Sequence, residues 1–577
     1  MLDGIAGSGE YSATKPNGAF MNKDFKQTVS VAALVLGGFS SLCHAQSPLP
    51  DDFNPPLVPD YRRPGPYPPT TYDKAWVYSA VEQTDGKIIL GGEFLGAVGG
   101  LTGGLVRLHP DGTPDLSFNP KVTNDVYAVA LPVDGKILFA GDFQRVGTFM
   151  CKGLARLDGG DVVELTFNPQ ATNSFYPSLT QEVFALMPQT NGMILVAGAF
   201  DRLNGQIRNG IGRLNDDGSV DAGFNPVPNN RLTSMAIQAD GRILIAGIFT
   251  TVSGVPRNRI ARLNANGTVD PDFHPDGGNV VFAMLEQPDG KILVGGELTS
   301  FAGVARTNLA RINADGSIDE SFDAGQIGRV YSMALQADGK LIVGGRAVVG
   351  GGLARLNSDG STDSSFNPPI FNDWVLSVSI QSDGKIIAGG KFTRVGALSR
   401  TNIVRFYATE PATQNLDYTN GTITWLRGGT SPEAWRTTFE YTADALTWTN
   451  LGTGTRIPGG WTLTNLALPS GGVIRARGHV IGGQFNGSCW FVETLLRVGP
   501  QTAPTILTDD GNLGVISDQF GFNVHGDTNQ IVVVESSTNL LDWLPLQTNI
   551  VTGDTFYVSD PEWSQAVQRF YRARLWP

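Results

Sequence analysis

Two sets of side chains recur in this 577-residue chain where their chemistry could matter. The first is an arginine at Arg107, Arg156, Arg213, Arg262, Arg311, Arg355 and Arg405, followed by an acid three residues ahead of a recurring phenylalanine: Asp115, Glu164, Asp221, Asp270, Asp319 and Asp363. Seven guanidiniums in a ring could line an anion channel. A feature present in every copy serves the copy, however, so the expected role is an Arg–carboxylate pair holding an outer hairpin. The second set varies: the residue after a Gly-Gly or Ala-Gly pair reads Glu93, Asp142, Ala199, Ile248, Glu297, Arg346 and Lys391. Packing does not dictate these residues, which places them on a face or at a channel mouth. Glycoside hydrolysis needs two carboxylates roughly 5–10 Å apart, and Glu93, Asp142 and Glu297 are the candidates. Trp76 and Trp374 are candidate contact aromatics, with core packing as their other role.

Other chemistries find less support. "N-x-DGS-x-D" segments such as Asn313 to Asp319 gather oxygen ligands that could hold Ca²⁺, but they lack the D-x-[DN]-x-[DN]-G loop and its terminal Glu. A hairpin turn explains their Asp-Gly without a metal. No phosphate loop occurs, and no G-x-S-x-G elbow with triad partners. The histidines His44, His109, His274, His479 and His525 lack metal-ligand spacing, and Cys43, Cys151 and Cys489 imply no disulfide framework. The expectation is therefore no catalytic residue, no metal ligand and no cofactor, with the binding residues unassigned.

The elements that position these residues come from a repeat. "YSAVEQTDGKIILGG" at 78–92 returns as "FAMLEQPDGKILVGG" at 282–296 and "YSMALQADGKLIVGG" at 331–345. Its central residue falls at Asp85, Asp134, Asn191, Asp240, Asp289, Asp338 and Asp383, spaced by 49, 57, 49, 49, 49 and 45 residues. Seven units of this period signal a solenoid, propeller or array. Each unit holds two hairpins with Asp-Gly turns, which supply the positive φ angles of a tight turn between alternating apolar strands. Four short strands per unit match one blade of a β-propeller. The second hairpin ends in "SFNP" or a variant only six times, at Phe118, Phe167, Phe224, Phe273, Phe322 and Phe366. "DDFNPP" at 51–56 stands alone near the N-terminus, and the simplest reading is that it completes the seventh blade and closes the ring.

The "DGKI-x-x-GG…R-x-N-x-DGS-x-D-x-SFNP" unit resembles the delta-60 repeat of bacterial exported proteins, a propeller-forming family, over roughly residues 51–408. The second unit departs with Gly159-Gly160 for the second Asp-Gly turn, and the third has Asn191 for Asp. The resemblance implies a propeller and no particular activity.

The expected organisation is all-β. Residues 1–45 are expected to be an N-terminal extension and signal peptide with Met21 as the true start, 46–410 a seven-bladed propeller with four-stranded blades, and 411–499 and 506–577 two small β-sandwich modules. The signal reading rests on two lysines after Met21, the apolar run "TVSVAALVLGGFSSL" and the small residues before Gln46. A lipoprotein cleavage before Cys43 fits less well, since Leu42 stands where a small residue is wanted. The two C-terminal modules carry short alternating strands every 8–12 positions and resemble immunoglobulin- or fibronectin-like modules. "YTADALTWTNLG" at 441–452 is similar to an Asp-box turn, a structural feature.

A net charge of −12 argues against nucleic acid, and outside the leader no stretch has the apolar length of a membrane helix. These readings point to an exported protein, extracellular, at the cell surface or periplasmic. Its leading function is non-enzymatic binding or scaffolding, with a propeller face contacting protein or polysaccharide. The alternative is a polysaccharide-active hydrolase or lyase. A quinoprotein would repeat a tryptophan-bearing motif that the units lack.

Overall fold

The computed structural model describes residues 48–59 and 75–576, apart from 100–101, 175–180, 349–350, 445, 500–502, 509, 511, 517–518, 527–529, 541–542 and 566–567, together with the backbone of Tyr11–Thr14. The expected signal segment lies outside the described residues. Among those described, regular structure is β-strand, with 3-10 turns at Gln484–Asn486 and Trp563–Gln565 and no α-helix.

Seven three-stranded antiparallel arrays follow one another along the chain, six as separate sheets and the second joined through a parallel bridge between Ala130 and Cys489 to a larger sheet. Their first strands are Trp76–Glu82, Val126–Ala130, Glu182–Pro188, Leu232–Ile237, Val280–Glu286, Arg329–Leu335 and Val375–Ile380. In each unit the Asp-Gly turn (Asn191-Gly192 in the third) leads into the second strand, which pairs on its far side with the arginine-bearing third. In the first unit Trp76–Glu82 pairs with Ile88–Glu93, and that strand with Leu105–Leu108. The fourth strand expected from the sequence is not a full strand. Each of the first six units keeps only a single bridge there, such as Leu108 to Pro114 and Ile312 to Ile318. The reason is local: the hairpin closes within two residues of its turn, and the chain then bends so that the phenylalanine reaches back under the arginine.

The recurrent arginines and acids are paired in every unit. Arg107 Nε lies 2.8 Å from Asp115, Arg156 Nε 2.5 Å from Glu164, Arg262 Nε 2.7 Å from Asp270, Arg311 Nε 2.6 Å from Asp319 and Arg355 Nε 2.8 Å from Asp363. Arg213 lies 2.6 Å from Asp221. In the seventh unit the partner comes from the N-terminal segment, Asp51, at 2.6 Å from Arg405 Nε. Each guanidinium also covers the phenylalanine ring, at 4.3 Å for Arg156 over Phe167 and 4.5 Å for Arg405 over Phe53. Such partly desolvated stacking contributes about 0.5–2 kcal/mol per pair. The free Nη1 then reaches the next unit: Arg213 to Ala265 O, Arg311 to Ser358 O, and Arg405 to Pro110 O of the first unit. One side chain thus fastens its own hairpin and its neighbour's turn.

The first and seventh units touch as sequential units do. Gln381 Nε2 and the Ser382 N–H both donate to the Glu82 carboxylate, at 3.0 and 2.7 Å. Gln238 and Ala239 do the same to Glu286 between the fourth and fifth. Leu57–Val58 pairs with Gly96–Ala97, as Ala171–Thr172 pairs with Arg202–Leu203. In five units the sequence reading missed a further small hairpin between the second and third strands, such as Arg145–Val146 with Phe149–Met150.

These ion pairs set a pH dependence. Burial alone would raise the Asp115 and Asp319 carboxyls, but a serine hydroxyl, a lysine and the arginine outweigh it and hold both well below the usual range. Asp363 is lowered in the same way, with the Ser365 hydroxyl and N–H, Lys340 and Arg355 opposing burial. A depressed folded-state pKa contributes stability that is fully present above the unfolded carboxyl value near 4 and is lost as pH falls through the folded one. The thermal midpoint should therefore drop by on the order of 10 °C between about pH 5 and pH 3. Calorimetry across that range checks it.

Beyond the repeats, two four-stranded arrays enclose one core. Ala412–Thr419, Thr422–Gly429, Gly460–Leu463 and Thr455–Ile457 form one sheet. Arg436–Thr442, Thr449–Thr453, Val473–Gly482 and Ser488–Arg497 form part of the other. Trp425, Phe439, Trp461, Ile474 and Trp490 are buried among them. Residues 505–575 form a further pair of sheets around Phe522, Val534, Val558 and Tyr571, to one edge of which Tyr11–Thr14 adds a strand. In the Asp-box-like turn, the backbone N–H groups of Thr447 and Leu446 donate to Asp444 and lower its carboxyl to about 2, as in a structural turn.

Candidate functional site

Every first strand carries a bulge at the same place. The register slips between Val77 and Ser79, Val126 and Ala128, Val183 and Ala185, Leu232 and Ser234, Val281 and Ala283, Val330 and Ser332, and Val375 and Ser377. A bulge leaves one residue outside the ladder and re-aims its side chain. Those residues are Tyr78, Tyr127, Phe184, Thr233, Phe282, Tyr331 and Leu376. The bulge also explains the second glycine of each pair. A Cβ at Gly92 would lie 2.1 Å from the Trp76 carbonyl oxygen, and one at Gly345 1.8 Å from that of Arg329. The first position only faces the neighbouring unit and is Ala140, Ala197 or Ala246 in the second to fourth units.

The five bulged aromatics converge. Tyr78 and Tyr127 lie 5.2 Å apart, Tyr127 and Phe184 5.4 Å, Phe282 and Tyr331 5.2 Å, and Tyr331 stacks on Trp374 at 5.7 Å. The gap at Thr233 is filled from far along the chain by Phe485, 5.8 Å from Phe184 and 5.5 Å from Phe282. At the other end the Lys391 ammonium stands between Trp76 (3.5 Å) and Trp374 (4.5 Å). The result is a cup of aromatic side chains. Tyr78 and Tyr331 are buried, while Trp76, Tyr127, Phe282, Trp374 and Phe485 are partly exposed.

Phe485 sits at the tip of the hairpin formed by Val473–Gly482 and Ser488–Arg497, which enters among the seven first strands. The tip is tied to them by polar groups. Asn486, fully buried, donates from Nδ2 to Met333 O and accepts the Met333 N–H, both at 2.9 Å. Ser332 Oγ donates to Gly483 O at 2.7 Å. Ser488 Oγ meets Ser79 Oγ at 2.8 Å and accepts the Val129 N–H at 3.2 Å. The Leu131 and Leu186 N–H groups donate to Cys489 O and Gly487 O. Buried backbone groups need partners, and the inner edges of the first strands find theirs on this tip. Phe485 and Asn486 adopt φ of 58° and 53°, a conformation that asparagine tolerates best among non-glycine residues.

The variable positions after the glycine pairs lie around this cup, each opposite the residue two before a bulge. Glu93 pairs with Trp76, Glu297 with Val280 and Arg346 with Arg329 in the ladders. The Asp142, Ile248 and Lys391 N–H groups donate to Asp125, Arg231 and Trp374 carbonyls. The charge is unevenly divided. Glu93, Asp125, Asp142 and Glu182 lie on the first three units, whereas Arg329, Arg346 and Lys391 lie on the last two.

The three carboxylates singled out in the sequence are each engaged by a neighbouring group. Glu93 accepts the Tyr78 hydroxyl at 3.2 Å, Asp142 is buried and accepts the Asp125 N–H at 3.0 Å, and Glu297 is paired with Arg329. Glu182, which the sequence reading did not single out, is raised by burial and by Asp142 against the opposing pull of Arg231. Trp76 and Trp374 both line the cup. The Asp319 carboxylate of the Ca²⁺-like segment is engaged by Arg311 and Lys291. Among the described residues no cluster of three or more His, Cys, Asp or Glu is arranged for a metal, and Cys151 and Cys489 are buried free thiols.

Seven segments, 83–118, 134–167, 189–224, 238–273, 287–322, 336–366 and 381–408, match the family described as "Domain of unknown function (DUF5122) beta-propeller". These are β-propeller repeats. No curated protein matches the chain. Among solved structures the chain is similar to one titled "Glycoside hydrolase", at 9% identity and a TM-score of 0.19 over 78% of this chain and 94% of that one. It is also similar to the N-terminal eight Ig domains of Down Syndrome Cell Adhesion Molecule, at 9% identity and a TM-score of 0.13 over 83% and 60%. A third is E. coli alpha-2-macroglobulin in its native conformation, at 10% identity and a TM-score of 0.09 over 85% and 33%. Scores this low leave the propeller repeats as the finding that stands. No helix among the described residues is long and apolar enough to cross a membrane.

Proposed function

We propose that the protein is an exported, non-enzymatic binding or scaffold protein that takes a polysaccharide or protein ligand on the aromatic cup. In this reading the seven repeats close into a ring, with the 51–58 segment completing the seventh blade, and the two C-terminal parts are immunoglobulin- or fibronectin-like sandwiches. Support for closure comes from Asp51 and Phe53, which make in the seventh unit the contacts that the other units make internally, and from Leu57–Val58, which pairs with the first unit as Ala171–Thr172 at the end of the second pairs with the third. The protein acts outside the cytoplasm, at the surface, in the medium or in the periplasm, and needs no bound cofactor.

The observation that carries the binding reading is the cup itself. Tyr127, Phe184, Phe282 and the flanking Trp76 and Trp374 present half-exposed rings over the buried Tyr78 and Tyr331, while the rim residues vary from unit to unit although the scaffold does not. Aromatic faces beside placed charges suit sugar rings and peptide side chains alike.

A polysaccharide-active enzyme is the second reading, favoured by Glu182, a rim carboxyl raised by burial and by the nearby Asp142, the direction a general acid needs. Against it, Asp142 is only 3% exposed and already accepts a backbone N–H. A glycan array and solubilised bacterial envelope material, applied to the full chain with and without EDTA, test both readings. Retention without release of reducing ends is the expected result. Sugar release abolished by Glu182→Gln would replace binding with catalysis, and absence of retention would remove the cup as a ligand face.

A further inference from the structure

A second cleft, of about 270 Å³, lies away from the cup, between the Asp134-Gly135 turn of the second repeat, the Asn191-Gly192 turn of the third and the strand Arg436–Thr442. Alternation along that strand puts Phe439 and Tyr441 in the core and turns Arg436, Thr438 and Glu440 to the opposite side, where they line the cleft. The facing wall carries an apolar stretch of Leu131, Pro132, Pro188 and Ile194 beside Asp134, Gln189 and Asp216.

The carboxylates that line this cleft are each paired with a cation other than Arg436. Glu440 is held by Arg475 and Arg477, at 2.5 and 3.1 Å. Asp216 lies 2.6 Å from Arg156, which Glu164 also holds, and Asp134 lies 3.6 Å from Lys136. Arg436 has no carboxylate partner among the described residues. Its guanidinium covers Trp435 at 4.7 Å and meets His479 Nε2 at 3.3 Å, and its buried Nε has no acceptor. Neither neighbour supplies negative charge: burial and the adjacent arginines keep His479 neutral, and burial pushes the Cys489 thiol up to about 12. An unpaired guanidinium in a half-closed cavity is costly unless an anion joins it.

We propose that this cleft binds a small organic acid, with one carboxylate on the Arg436 guanidinium and an apolar body against Leu131, Pro188 and Ile194. A planar guanidinium offers two parallel donors to a carboxylate, and the apolar wall selects acids that carry a ring or chain. The site is independent of the cup and of whatever the cup binds.

Titration of the full chain with indole-3-acetate, phenylacetate and benzoate, each beside its neutral amide, tests this by calorimetry. At least one acid should bind saturably and about tenfold or more tightly than its amide. Arg436→Gln should abolish that preference and leave the amide's weaker binding unchanged. Because Arg436 lacks a carboxylate partner, this variant should melt no lower than the wild-type chain. No saturable binding of any of the three acids, equal affinity for acid and amide, or an undiminished preference in Arg436→Gln would each overturn the proposal. Should the variant fail to fold, the acid–amide comparison on the wild-type chain decides alone.

Discussion

Arg405→Met is expected to lower unfolding stability by about 3–5 kcal/mol, because removing one partner strands a buried charge. Asp51 is 5% exposed, and beyond Arg405 its carboxylate has, among the described residues, only the Phe53 N–H, at 2.9 Å. The same substitution removes the stacking on Phe53 and the hydrogen bond to Pro110 of the first unit. The N-terminal segment should then detach before the rest, so limited proteolysis should cut within 48–59 in the variant and not in the wild type. Arg107→Met is the informative comparison. Lys87 lies 3.1 Å from Asp115 and still compensates it, so the loss there should be about 1–3 kcal/mol. Equal losses in the two variants would mean that the seventh unit is no special joint.

Asn486→Ala should cost about 2–4 kcal/mol, since it strips both partners from the buried Met333 N–H and carbonyl. The side chain imitates a strand edge in a place where no strand can run. Asn486→Gly separates the two contributions: it permits the positive φ but loses the same hydrogen bonds, so it should lose nearly as much. Denaturant midpoints read both. A loss below about 0.5 kcal/mol would show that the tip is not anchored through this residue.

The repeats were legible because their signals are local. Asp-Gly turns between alternating strands, and an arginine, acid and phenylalanine at fixed spacing, each report contacts made within one unit. Even the N-terminal joint could be read, since "DDFNPP" carries the phrase that the seventh unit lacks. The fourth strand was overread, because the sequence of a one-bridge hairpin arm and that of a full strand both alternate. The rim of the cup could be located from variability against a constant frame, though not its charge division, which needs the units arranged in space.

The tip at Gly482–Cys489 was not legible. "GGQFNGSC" reads as an ordinary turn between two strands, and its partners Ser79, Val129, Leu186, Ser332 and Val378 lie about 100–400 residues away in sequence. Only an aromatic residue at the apex of a glycine-flanked turn hinted at burial. The same distance hid the unpaired Arg436, which looks like any strand arginine until its neighbours are counted.

The cup as ligand face is the central claim, and one comparison tests it most directly. Wild-type chain, Trp374→Ala/Arg346→Glu and the remote surface variant Leu446→Ser, at a side chain 83% exposed, would be immobilised and exposed to a glycan array and to solubilised bacterial envelope material. Retention by the wild type and by Leu446→Ser, reduced about tenfold or more in the cup variant, is the predicted result. Undiminished retention by the cup variant, or none by the wild type, would contradict the account.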